Sequence, residues 1–547
     1  MPRVRNFDYI IVGAGSAGCT LASRLTEDPD VSVLLLEAGG WDWDPWLHIP
    51  LGWGRILQRR LHDWMYLTEP SATMNNRRIE TPRGKVLGGS SAVNAMAYYH
   101  GHATDYDRWA ATGLPDWSYR HVLPYFKRSE KWVGGETKFR GGAGLLTTQY
   151  ATFQDPIVEA FLAAAREAGH PFTDDYNSEQ REGFARIQNS LAGGRRGSTA
   201  TAYLKPARKR PSLTVETNAL STGVIMGGNR ARGVTFQQGG EGHTAYADRE
   251  VILCGGSINS PHLLMLSGIG DPDHLSQHGI KPRIPLKGVG RNLFDHTSAA
   301  LQWARRGEPG TFQQNLRLDR IAVSLAKCYF FGTGFASDLP FGITAFLKTR
   351  AQEPIPDLQM MFWMGATREA KPWLPPFTKP FPDRFNVRVM PMRPTGTGYL
   401  SLASADPTKP IRIHQAFLET EEEWRPMRAG LRMARELVAQ SALEPFAGPE
   451  TQPGADKTSD ADLDAHVRAT MLTINHPIGT AKMGPASDPM AVVDGTLKVF
   501  GTDGLRVVDA SVMPDLIGGA TNAPVIMIAE KAADMILGRP LLPPAEI

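Results

Sequence analysis

The sequence predicts an α/β fold in two parts: a nucleotide-binding unit assembled from separated stretches, and an α+β part built on antiparallel strands. Three observations lead there. The first forty residues run in the order strand, glycine turn, helix, strand, acid. Apolar strand-like blocks return near residues 250 and 505. Between them, residues 301–474 contain strands whose apolar residues alternate, as half-buried antiparallel strands do.

Tyr9 to Val12 is a short apolar run suited to a strand buried on both faces, and the turn Gly13-Ala14-Gly15-Ser16-Ala17-Gly18 follows at once. Gly13 allows the tight turn, and Gly15 lets backbone N–H groups approach a pyrophosphate. Gly18 lets a helix over about Ser16 to Leu25 lie against the sheet. The start of that helix faces the phosphates. Val31 to Leu36 supplies the second strand. Glu37 stands at its carboxyl end, where an acid holds a ribose hydroxyl and favours an unphosphorylated ribose. NAD and FAD both remain possible at this point.

The whole chain narrows the classes. Its 547 residues exceed one compact core. With 42% hydrophobic residues it is an ordinary globular protein, and 59 lysines and arginines against 56 acids leave a net charge of +3. That balance gives no sign of nucleic acid or an anionic membrane as a partner. Cys19, Cys254 and Cys328 are far apart and lack C-x-x-C spacing, so neither a disulfide framework nor a structural zinc site is suggested. Arg3 and Arg5 precede an apolar stretch as in a signal peptide, but Asp8 and the glycine turn argue against one. Nowhere do about eighteen apolar residues run uninterrupted, so no membrane span is expected, and the localisation expected is cytoplasmic.

After Glu37, Trp41 to Trp53 is rich in tryptophan and proline without a helical or strand period, and residues 40–65 read as a long lid-like loop. Arg83 to Met96 is a second glycine-rich stretch. It is not a phosphate loop of the GxxxxGK[ST] type, because Val86 follows Lys85. Its small residues suit a backbone that passes close to something flat and large, such as an isoalloxazine ring. Helical and loop segments alternate from 101 to 194, including a helix over Asp155 to Ala168. Leu213 to Thr217 and Arg249 to Cys254 return as strands, and Pro261 to Gly268 reads as a short helix opened by its proline. Phe385 to Met390 and Tyr399 to Leu402 alternate as antiparallel strands, and Met427, Leu431, Ala434 and Val438 share a helical face. Met360 to Met364 reads either as core or as the lining of an apolar pocket.

The last seventy residues carry the chemistry. His476 precedes Pro477, which keeps the local backbone extended. A strand over Leu505 to Val508 ends at Asp509. Pro524 then opens an apolar helix to Leu537 with Thr521 or Asn522 as its cap. Such a helix start suits the negative charge that a flavin gains on reduction.

These residues resemble the glucose-methanol-choline (GMC) flavin oxidoreductases. The resemblance rests on Asp8 to Gly18, Pro82 to Ser91, Gly255 to Pro261, Gly288 to Leu293 and His476 to Thr480, and it covers nearly the whole chain. It implies a discontinuous Rossmann-like FAD-binding domain (1–100, 195–300 and 475–547) and an α+β substrate domain on an antiparallel sheet (101–194 and 301–474). It implies FAD contacts at Gly13, Gly15, Ser16, Ala17, Gly18, Glu37, Ala38, Trp64, Val86, Asn94, Ala95, Met96, Ala97, Ser221, Asp509, Ala510, Asn522 and Ala523. His476 is then the base that takes a hydroxyl proton while the alcohol carbon gives a hydride to the flavin. The expected partners are a small-molecule alcohol, apolar or aromatic, and oxygen or a quinone-type electron acceptor. A hydroxynitrile lyase-like activity is the alternative. Three positions depart from the family pattern. Val93 replaces the histidine through which some relatives attach FAD, so non-covalent FAD is expected. Ala520 stands where a second catalytic His or Asn is usual, so either His476 works with another partner or the pocket takes a bulkier alcohol. Asn475 replaces an aromatic residue, as a polar contact or a loop-stabilising one.

Overall fold

The computed structural model describes residues 5–365 and 369–547, so Arg3 lies outside the described residues. Among these residues two seven-stranded sheets organise the chain. The first has the order Leu220–Gly227, Arg230–Gln238, Glu241–Leu253, Arg5–Val12, Val33–Leu36, Leu213–Glu216, with Leu505–Val507 beside the end of Glu241–Leu253. Arg5–Val12 is parallel to both neighbours, with Ile11 opposite Ile252 on one side and Leu35 on the other. Tyr9 to Val12 and Val33 to Leu36 are buried throughout, which is why they read as unbroken apolar runs. Glu241–Leu253 changes partners along its length: its first half pairs antiparallel with Arg230–Gln238, and its second half joins the parallel sheet.

Ser16–Leu25 forms as predicted and packs along Asn522–Leu537, which also receives Tyr119–Ser129. Gly18 makes the helix–sheet approach possible, because a Cβ there would lie 1.9 Å from the Gly13 carbonyl oxygen. Tyr106, Trp109, Trp117 and Phe126, within the predicted 101–194 segment, are buried in the same core as this first sheet.

The second sheet is antiparallel throughout, with the order Ala447–Gln452, Thr297–Arg305, Arg384–Pro391, Leu358–Met364, Ile343–Leu347, Gly183–Arg186. Helices Pro156–Glu167 and Glu421–Val438 cover one face, where Met360, Phe362 and Met364 are buried. The intervening Met361 and Trp363 line a cavity on the opposite face. Strand alternation thus makes both readings of the Met360 to Met364 run correct, one for each face.

Two local expectations are corrected and a third is located. Residues 40–65 are not all loop: Asp44 accepts a hydrogen bond from the Trp46 N–H at 3.0 Å and starts Pro45–His48, and Gly52–Arg59 follows as a second helix. Both are too short to show a period in sequence. The helix assigned to Pro261 to Gly268 runs instead from Gly256 to Leu266, with Pro261 inside it. The Ser257 carbonyl, deprived of its Pro261 donor, accepts from the Thr480 hydroxyl instead, so the proline is tolerated. Tyr399–Ser401 is a strand, but it pairs only with Arg412–His414 and lies outside both large sheets.

Candidate active site

One cavity of about 1730 Å³ joins the carboxyl ends of the parallel strands to the open face of the antiparallel sheet. A pocket for a drug-sized ligand measures roughly 300–1,000 Å³, so this one has room for a dinucleotide and a substrate together. At the nucleotide end Gly13, Gly15, Ser16 and Ala17 form the turn and helix start. Gly89 lies so close to this turn that a Cβ on it would be 2.7 Å from the Gly15 Cα, and the Gly88 N–H donates to the Ala14 carbonyl at 2.8 Å. The second glycine-rich stretch is therefore docked on the first.

Glu37 accepts from the Ala14 N–H at 2.9 Å and the Gly39 N–H at 2.8 Å, one on each oxygen. Each oxygen keeps a second lone pair for a ribose hydroxyl. Burial pushes its carboxyl up to about 7. Asp509 is held by four donors: the Gly256 N–H (2.8 Å), the Ser260 hydroxyl (2.5 Å), and the Ser511 N–H (2.8 Å) and hydroxyl (2.6 Å). The Ser16 hydroxyl donates to Asn522 Oδ1 at 2.7 Å, tying together the two helix starts that face the cavity. The Ser221 hydroxyl is buried without a hydrogen-bond partner on the same wall. An orphaned donor beside two helix starts fits a bound dinucleotide.

Ala38, Trp64, Asn94, Ala95, Met96, Ala97 and Ala510 also line the cavity. Gly18, Val86 and Ala523 do not. Gly18 faces the Gly13 backbone, Val86 packs with Leu47, Ile56 and Ala92, and Ala523 is buried in the first turn of its helix. Gly255, Gly256, Ser257 and Asn259 line the cavity without having been singled out as contacts. Their signal was present, since a glycine pair directly after an apolar strand and before a helix repeats the pattern at Gly13.

His476 lies on the irregular segment between Leu472–Thr473 and Ile478, and it faces the cavity. Its N–H donates to Asp295 Oδ1 at 2.8 Å, and the His296 N–H donates to the same oxygen at 2.8 Å. The Thr473 hydroxyl donates to Asp295 Oδ2. Burial raises the Asp295 carboxyl to about 6, against the pull of these donors and of Arg83. Arg83 donates to the Asn475 carbonyl at 2.6 Å. Asn475 has φ +65°, a left-handed conformation that asparagine tolerates and bulky residues resist. Backbone conformation therefore accounts for asparagine at this position.

The two imidazoles meet Nδ1 to Nδ1 at 3.1 Å, and His296 Nε2 lies 3.4 Å from the Met392 carbonyl oxygen. A carbonyl only accepts, so His296 carries its proton on Nε2 and offers Nδ1 as an acceptor. His476 must then donate from Nδ1, which leaves its Nε2 unprotonated. Burial, His296 and the Arg83 guanidinium together hold His476 well below its ordinary pKa, and burial carries His296 down to about 3. The pair is neutral at pH 7, with one open basic nitrogen. His296 was invisible in sequence, being 180 residues from its partner.

Trp53, Tyr99, Gln359, Met361, Trp363 and Arg388 line the same cavity as His476. The Arg388 guanidinium lies 4.9 Å from the Trp363 ring centroid and donates to the Ser298 hydroxyl at 2.8 Å. Ala520 packs against Tyr99, Tyr176 and Phe346, and Gln359 Nε2 donates to the Tyr99 hydroxyl at 3.0 Å. The carboxylates lining the cavity are Glu37 and Asp509 at the nucleotide end and the exposed Glu80 and Glu369.

Glycine turns at the carboxyl ends of a parallel sheet, with a neutral histidine lining the same cavity, fit a nucleotide-dependent oxidoreductase. The N-terminal GMC oxidoreductase model matches residues 7–298 and its C-terminal counterpart 394–529. The chain belongs to the GMC oxidoreductase family. It is 43% identical to mitochondrial choline dehydrogenase of Mus musculus, over 98% of this chain and 90% of that one. It is 42% identical to oxygen-dependent choline dehydrogenase 1 of Chromohalobacter salexigens, over 100% and 98%. Among solved structures it resembles pyridoxine 4-oxidase from Mesorbium loti (TM-score 0.85, 30% identity, 96% and 98% covered). It also resembles a formate oxidase variant of Aspergillus oryzae RIB40 described for FAD modification (TM-score 0.89, 27% identity, 98% and 99% covered). The protein is an FAD-dependent oxidoreductase acting on CH–OH donors. These relatives lend no support to the lyase alternative.

Proposed function

We propose that the protein oxidises a neutral primary alcohol with an apolar or aromatic body to the aldehyde, with His476 as the base. The relay from His476 Nδ1 through His296 to the Met392 carbonyl carries this reading, because it leaves Nε2 unprotonated. The alcohol hydroxyl donates to Nε2 and transfers its proton there. FAD, when bound, supplies the acceptor for the hydride that leaves the alcohol carbon. Asp295 and Arg83 hold the backbone at 475–476, so the base keeps its place while its charge changes. Gly13 to Ala17, Glu37, Ser221, Asp509, Ala510 and Asn522 hold the cofactor, and Met361, Trp363 and Trp53 exclude water from the reacting end. The electrons leave to oxygen or to a quinone-type acceptor.

Choline, named for several relatives, is a cation. Here the guanidinium of Arg388 already occupies the face of the Trp363 ring that a quaternary ammonium would use, and the cavity's carboxylates lie at the nucleotide end or in solvent-exposed positions. Anaerobic reduction of the holoenzyme by benzylic alcohols, aliphatic alcohols and choline tests the reading. Bleaching by a benzylic or aliphatic alcohol at about tenfold or more lower concentration than by choline is expected, that being ~1.4 kcal/mol of discrimination. Choline as the best reductant would overturn the substrate class. Readmitting air then separates an oxidase, which recovers rapidly, from a dehydrogenase.

A further inference from the structure

The helix Leu318–Phe331 has one side in the protein, through Ile321, Ser324 and Cys328, and an opposite side that is apolar yet bare. At 100° per residue the bare side groups Ala322, Val323, Ala326, Tyr329 and Phe330 around Asp319, with Leu318 and Lys327 at its edges, and Phe331 is exposed beyond it at the helix end. Phe330 is 68% and Phe331 76% exposed. The loop that follows residue 369 packs against the start of this helix, with the Leu318 N–H donating to the Trp373 carbonyl at 2.8 Å, and it presents Phe377 at 81% exposure. Soluble surfaces rarely gather large apolar side chains in this way without a partner.

Charge identifies the partner. Arg320, Lys327, Lys371 and Lys379 are exposed on the same two segments, besides Arg317, which is paired with Asp319. The three acids of these segments are already engaged, Asp319 with Arg317 at 2.6 Å, Glu369 with Arg384 at 3.0 Å, and Asp383 accepting from the Gly310 N–H at 2.6 Å. An aromatic and aliphatic face with basic residues on the same segments is the pattern of a helix lying in the headgroup region of an anionic membrane. A second copy is a poorer occupant, because a two-fold contact would bring the same basic segments against themselves. Leu318, Ala322, Leu325 and Lys371 also line the cavity.

We propose that Leu318–Phe331 and the loop bearing Phe377 form a docking face for an anionic lipid bilayer, which sets this side of the cavity against the membrane. No described helix is long and apolar enough to cross a membrane, so the contact is peripheral. An apolar alcohol or acceptor dissolved in the bilayer would then enter from the lipid side.

Co-sedimentation of the holoenzyme with vesicles tests this, using phosphatidylglycerol mixed with phosphatidylcholine against phosphatidylcholine alone. Binding to the anionic vesicles is expected, weakening as salt rises. The double variant Phe330→Glu, Phe331→Glu and the single variant Phe377→Glu should each bind about tenfold or more weakly. Arg320→Gln and Lys327→Gln should each cost about fivefold. All these side chains are exposed and outside the catalytic machinery, so reduction of the flavin by a soluble alcohol without vesicles should be unchanged and reports intact folding. Wild-type protein left in the supernatant with anionic vesicles would overturn the proposal, as would variants that sediment like wild type. A dimer in analytical ultracentrifugation that the double variant dissolves, without vesicle binding, would assign the face to a second copy instead.

Discussion

The two ends of the cavity are built differently. At the parallel sheet the wall is mostly main chain: the Gly13–Ser16 turn, the Gly89 turn laid against Gly15, and the starts of helices at Ser16, Gly256 and Asn522. At the antiparallel sheet the wall is side chain: Gln359, Met361 and Trp363 from one strand, and Arg388 from its neighbour. A main-chain site constrains which residues are small, over a few consecutive positions. A side-chain site requires only that the chemistry arrive from any strand of correct parity. The first kind tolerates almost no change of backbone, whereas the second can be rewritten residue by residue while the sheet persists.

The largest effect should come from adding one carbon at the main-chain end. In Gly18→Ala the new Cβ lies 1.9 Å from the Gly13 carbonyl oxygen, a contact that no rotamer relieves. Insoluble protein, or about a tenfold or greater loss of co-purifying flavin by absorbance, is expected. A fully yellow Gly18→Ala protein would mean that this turn is not the rigid half of the site.

At the side-chain end, His476→Ala should keep its FAD and fold but reduce the flavin about 10²- to 10⁴-fold more slowly with alcohol in stopped flow, the usual range for a lost general base. Unchanged reduction would remove His476 from the chemistry. The relay should matter less: His296→Leu removes the acceptor that sets the His476 tautomer, and a slowing of about tenfold is expected.

The pH profile distinguishes positioning from mere packing at His296. Because the His476 pKa is lowered, its proton is lost at a pH below the ordinary 6.5, and the base form is present at all higher pH. Wild-type flavin reduction should therefore stay level from about pH 8 to below 6.5 and fall only in more acid solution. Replacing His296 removes one of the causes of the lowering, so the fall should move up in pH, toward 6.5. An identical profile in His296→Leu would reduce that residue to a packing role. The smallest expected effect is none at all: acid precipitation should release all the FAD and leave a colourless pellet, since Val93 offers no nucleophile for attachment. A yellow pellet would reveal a covalent bond elsewhere.

The sequence by itself determined the parallel half. Tyr9 to Val12, the Gly13 to Gly18 spacing, the strand Val33 to Leu36 and Glu37 lie within one short segment, so local spacing carries their geometry. The antiparallel strand at 385 and the helix at 427 were likewise legible from their periods. Only the tertiary structure decided the rest. The Met360 to Met364 run could not be divided between core and cavity until the sheet's two faces were known. The role of Asn475 depends on a positive φ, and the length of Gly256–Leu266 depends on a hydroxyl from Thr480. His296, just before the strand Thr297–Arg305, reaches His476 only after folding, and Arg388, on the neighbouring strand Arg384–Pro391, comes to line the same cavity as His476 in the same way. Local spacing encodes a backbone turn because neighbours in sequence are neighbours in space, while the charge and proton of a side-chain site are set by contacts between residues far apart in the chain.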